Sequence, residues 1–137
     1  MLGALLLFSG SLAVMAAGSK PLNDDFPGAE ILALPASIRT ENLAATSQPG
    51  EPRIVSSGLG GTLWWTWRAP AAGRLNLKAF DYFISLGIFE GDQVDQLTLL
   101  SSGEGTVSAA VEAGGLYRIL VDAWAGPSCG NVVRCQL

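Results

Sequence analysis

Not one of the 137 residues is histidine, the side chain best suited to moving protons near neutral pH. That absence excludes Ser-His-Asp and Cys-His nucleophiles together with histidine-ligated zinc or iron. The remaining chemistry rests on carboxylates and indoles. Asp24 and Asp25 are adjacent near the N-terminus, and Glu51 lies in a later polar stretch. Hard oxygen ligands of this kind suit calcium if the two segments pack together, with carbonyls and water completing the shell. The competing role for Asp24 or Asp25 is to bond local backbone amides and hold the start of the domain. Paired acids could also act as general acid and base. However, Asp81, Glu90, Asp92 and Asp122 fall at expected strand ends and turns, where solvated carboxylates are ordinary. The chain therefore reads as a non-enzyme, with calcium as its one cofactor candidate.

Four tryptophans form the second group. In an alternating strand, Trp65 and Trp67 share a face with Leu63, while Trp64 shares the other with Thr66 and Arg68. The first set belongs to a core, because burying a large aromatic is strongly stabilising. Trp64 and Trp124 are the only pair that could lie exposed and stack a sugar or an aromatic side chain. Packing beneath a loop is the competing role for both.

These residues need elements to hold them. Met1–Gly18 carries no charge and ends in small residues, which fits a secretory signal peptide cleaved near Ala16 or Gly18. It lacks a basic n-region, and its length of about 17 residues is at the short limit for a membrane anchor. Residues 19–137 contain no second apolar run of spanning length and form one domain. Export to the periplasm, cell surface or medium follows, with a protein or polysaccharide as partner. Eight basic against twelve acidic residues give a net charge of −4. The basic residues are scattered along the sequence, whereas a nucleic-acid footprint needs a clustered basic face.

Beyond the leader no sustained helical period occurs. Short alternating runs separated by Gly, Pro, Ser and Asp turns predict strands at Leu63–Arg68, Arg74–Ala79, Ile84–Phe89, Leu97–Ser101, Thr106–Val111, Leu116–Asp122 and Asn131–Leu137. Weaker ones are predicted at Glu30–Leu34 and near Ile38, and Glu41–Gly61 reads as a long surface loop. Eight or nine strands without intervening helices predict an all-β, antiparallel, jelly-roll-like β-sandwich behind a signal-peptide helix. Export permits a Cys129–Cys135 disulfide. An extended strand would separate the two cysteines by up to about 20 Å, and alternation puts Cys135 with Val133 and Leu137 on a buried face.

Several stretches resemble, in order, the bacterial pre-peptidase C-terminal domain family. They are Asn23-Asp24-Asp25-Phe26 with Ala29 and Ile31, Ala45-Thr46-Ser47-Gln48-Pro49-Gly50-Glu51-Pro52, Leu63-Trp64-Trp65-Thr66-Trp67-Arg68-Ala69-Pro70 and Gly114-Gly115-Leu116-Tyr117-Arg118-Ile119-Leu120-Val121-Asp122. The resemblance implies a jelly-roll-like sandwich without catalysis, linked to secretion, substrate targeting or surface attachment, with calcium or collagen binding in some related domains. The chain departs from that pattern at Phe83-Ile84-Ser85, at Ser101-Ser102-Gly103-Glu104 and at Arg53, where the family often carries acids or a histidine.

Overall fold

A computed structural model describes residues 20–40, 45–54, 61–80, 84–123 and 131–136. The leader, Trp124 and Cys129 lie outside the described residues. Nine strands run in chain order: β1 Glu30–Ile31, β2 Ala36–Thr40, β3 Gly61–Arg68, β4 Gly73–Ala79, β5 Ile84–Glu90, β6 Thr98–Glu104, β7 Thr106–Val111, β8 Leu116–Ala123 and β9 Asn131–Gln136. They form a five-stranded sheet ordered β1-β3-β8-β5-β6 and a four-stranded sheet ordered β2-β9-β4-β7. Without β1, these two orders are those of a jelly roll. Among the described residues, no helix is long and apolar enough to cross a membrane.

The sandwich core forms where alternation places it. Leu63, Trp65 and Trp67 of β3 meet Leu75, Leu77 and Ala79 of β4, with Ile84, Leu86 and Ile88 of β5 and Tyr117, Ile119 and Val121 of β8. Cys135 belongs to this cluster as a fully buried free thiol. Burial pushes its pKa up to about 12. The folded state therefore holds a neutral thiol, and this contribution to stability fades as pH rises above the ordinary thiol range. Peptide mapping after iodoacetamide treatment at pH 8 should find Cys135 unmodified in the native protein and modified after denaturation.

The eight jelly-roll strands pair antiparallel as expected, and β1 adds one parallel pairing, to β3, with Glu30 opposite Trp65. Strand β1 also stops at Ile31, after which the chain crosses to the other sheet through a cis Leu34–Pro35 peptide. The stretch expected as a surface loop is partly a cover. Of its described residues, Ala45 packs against the sandwich core, while Ile54 joins a second apolar cluster on the outer face of the five-stranded sheet.

Candidate functional site

The outer face of the five-stranded sheet gathers most of the candidates. Strand register places three rows across β3, β8 and β5: Thr62–Asp122–Ser85, Trp64–Leu120–Gly87 and Thr66–Arg118–Phe89. The middle of this face is apolar. Trp64, Leu120, Phe89 and Phe26 form a buried cluster, with Ile54, Val94, Leu97 and Ala29 packed against it. The Phe26 and Trp64 rings meet edge to face at 5.1 Å, a favoured aromatic geometry. Gly87 leaves the space the Phe89 ring occupies, since a Cβ there would lie 2.6 Å from that ring.

Polar groups flank this cluster on both sides. Glu51 accepts the Trp64 Nε1–H at 2.9 Å through Oε1 and the Thr62 hydroxyl at 2.6 Å through Oε2. The same Thr62 oxygen lies 3.1 Å from the Thr46 carbonyl, which also accepts the Thr62 amide at 3.1 Å. Thr46 in turn donates its amide and its hydroxyl to Asp24. Lys20 Nζ sits 2.9 Å from Asp24 and 2.9 Å from Asp25. One hydrogen-bonded chain thus runs from the N-terminal segment through the cover to the sheet. Asn23 completes the fastening: its carbonyl accepts the Trp64 amide at 2.9 Å and its side-chain amide donates to the Trp64 carbonyl at 3.2 Å. At the other end, Arg118 donates to Gly91 O and to Thr66 Oγ1, and its guanidinium lies 4.8 Å from the Phe26 ring centre.

The electrostatics fit a fastener. Asp24 is buried, which alone would push its carboxyl up. The Thr46 hydroxyl, the Lys20 ammonium and the Thr46 amide outweigh that and hold it below the usual carboxylate range. Asp122 shows the reverse: burial raises its carboxyl, and the charge of Glu51 raises it further. Its charged form is therefore penalised at neutral pH, and the penalty disappears as acid protonates it. Asp122→Asn should raise the melting temperature at pH 7 by a few degrees, about what 1 kcal/mol gives a domain of this size. The gain should vanish below pH 4, as thermal melts across pH would show.

Trp64 does not present the exposed face that the stacking role requires. It is fully buried, packed under the cover with its indole N–H committed to Glu51. Trp124, its expected partner, lies outside the described residues. Of the calcium candidates, Asp24 and Asp25 meet at Lys20, whereas Glu51 binds elsewhere on the same network. Their oxygens face N–H, O–H and ammonium donors, so a cation would have to displace protein hydrogen bonds. The described residues include no group of three or more His, Cys, Asp or Glu placed to hold a metal ion.

Sequence reasoning missed Thr46, Thr62 and Arg118. Only Arg118 carried a signal, as the one basic residue in a largely apolar strand that ends near Asp122. The run Gly126-Pro127-Ser128-Cys129-Gly130 has nucleophile-elbow spacing. It lies outside the described residues, and the chain has no histidine to activate its serine.

Folding also reverses the scatter of basic residues. Strands β2, β4, β7 and β9 carry Arg39, Arg74, Lys78 and Arg134 and no acidic residue, whereas the five-stranded sheet carries Glu30, Glu90, Glu104 and Asp122 along with Arg68 and Arg118. Neither a protein-family model nor a curated protein matches the sequence. Fold and site thus define the chain by class: an all-β jelly-roll sandwich whose N-terminal segment is fastened over one sheet.

Proposed function

We propose that this chain is a secreted, non-catalytic β-sandwich module, accessory to extracellular enzymes or their targeting. The observation that carries this reading is the use made of the acids. Asp24 and Glu51 spend their oxygens on internal donors, and Asp122 sits in a row with Thr62 and Ser85 with no ion pair among the described residues. Carboxylates whose oxygens are taken up by internal donors act as fasteners of a fold, which supports a structural use of Asp24 and Glu51. The resemblance to pre-peptidase C-terminal domains supports the accessory role, and the apolar leader supports export.

The test fuses the chain to a soluble reporter enzyme and incubates the fusion with cell-envelope material. Retention of the fusion, with the reporter alone washing off, is the expected result. Equal loss of both would overturn the module reading, as would substrate turnover by the unfused chain that Asp122→Asn abolishes.

A further inference from the structure

The strands of the four-stranded sheet include half of the eight basic residues of an acidic protein, and Arg74 and Lys78 are exposed on its outer face. On β4, Leu75, Leu77 and Ala79 are buried and Arg74, Asn76 and Lys78 alternate with them on the outside. Register puts Arg134 opposite Lys78 on one side and Ser37 on the other. Arg39 stands two positions beyond Ser37 on β2 and so shares its parity. Thr106, Ser108 and Ala110 of β7 extend the face beside Lys78, Asn76 and Arg74. Among the described residues, carboxylates appear only past the strand ends, at Glu104 and Glu112.

Neither Arg74 nor Lys78 has a carboxylate partner in any described ion pair. Arg74 donates to Ser108 Oγ at 2.9 Å, and the Lys78 ammonium lies 5.1 Å from the Phe80 ring centre. Arg74 and Lys78 stand four residues apart, roughly 13 Å along the strand, and neighbouring strands add about 4.8 Å per step. Protection of open sheet edges does not explain this placement. Basic residues used that way sit on edge strands, but Arg74, Lys78 and Arg134 are on β4 and β9, the two central strands.

We propose that this face binds an acidic polysaccharide, resting on the reading of the chain as a binding module. Charge complementarity supplies the attraction, which is strongest where one sign is concentrated. The amide of Asn76 and the hydroxyls of Ser37, Thr106 and Ser108 sit among the cations, able to bond sugar hydroxyls. A duplex nucleic acid is read by elements that enter its grooves, and this face is the broad side of a four-stranded sheet. Single strands need several stacking aromatics, and Phe80 is the one exposed ring beside this face among the described residues.

The experiment measures binding of the protein to polygalacturonate and dextran sulfate in 50 mM salt. Neutral dextran, duplex DNA and phosphatidylglycerol vesicles serve as comparisons. The proposal expects binding to the two acidic glycans, none to neutral dextran, and loss of binding at high salt. Replacing Arg74 and Lys78 together by serine should weaken it about tenfold, while Arg53→Ser, outside this sheet, should leave it unchanged. Absence of glycan binding would overturn the proposal, as would indifference to the double substitution. Tighter binding to DNA or to vesicles would also overturn it. If glycan binding fails while the reporter fusion is still retained, only the ligand class falls.

Discussion

Trp64→Ala should lower stability by about 3–5 kcal/mol, the cost of deleting a fully buried aromatic side chain, and the melting temperature by on the order of 15 °C. The indole fills the centre of the cluster between Phe26 and Phe89, so its removal leaves a cavity beneath the N-terminal segment. It also deprives Glu51 of a donor in a partly buried position. Trp64→Phe partly separates the two effects, since it keeps one aromatic ring but loses the N–H and the rest of the indole. That variant should cost about 1–2 kcal/mol for the unmet hydrogen bond plus a smaller packing loss. Denaturant titration of both variants would check the order. A surface tryptophan would give losses near zero in both.

The second large effect is expected at Asp24. Alanine there removes the acceptor for the Thr46 amide, the Thr46 hydroxyl and the Lys20 ammonium. Hydrogen bonds to a charged acceptor contribute about 1.5–3 kcal/mol each, and the exposed Lys20 adds little. A loss of about 3 kcal/mol is expected for Asp24→Ala at pH 7. The pH dependence follows from the lowered carboxyl. A group whose folded value lies below its unfolded one stabilises above the ordinary carboxylate range and loses that contribution as pH falls through the folded value. Wild type and Asp24→Ala should therefore converge in stability on acidification below pH 4. Melts that stay parallel down to pH 2 would show that the charge of Asp24 contributes nothing.

Much of the sandwich was legible because its pattern is local. Leu75, Leu77 and Ala79 alternate with polar neighbours, and a period of two marks one buried face without further information. Strand β3 was harder to read. It buries both faces, so parity alone left Trp64 between an exposed position and packing beneath a loop, and the second, smaller cluster on its side decides for packing. Nothing in the local sequence announces that cluster, because its cover comes from Phe26 and Ile54, respectively 38 positions before Trp64 and 10 before it. The acids were legible as residues of two segments that pack together, but the donors that join them were not. Thr46 and Thr62 are ordinary in sequence and acquire a role only when the cover reaches the sheet.

The basic face shows the same limit in reverse. Arg39, Arg74, Lys78 and Arg134 are spread over nearly a hundred positions. Strand order then brings three of them onto adjacent central strands. Scatter along the chain is therefore no guide to scatter in space for a fold whose neighbouring strands are distant in sequence.

The central claim is that the candidate acids and Trp64 fasten the N-terminal segment over the sheet. Amide hydrogen exchange at Thr46, Thr62 and Trp64 tests it most directly, since these amides bond Asp24, Thr46 and Asn23 across the outer edge of β3. All three should be protected in the wild type. In Asp24→Ala they should exchange much faster, while the amides pairing β3 with β8 stay protected. Exchange at the rate of an open edge in the wild type, or protection unchanged by Asp24→Ala, would contradict the account.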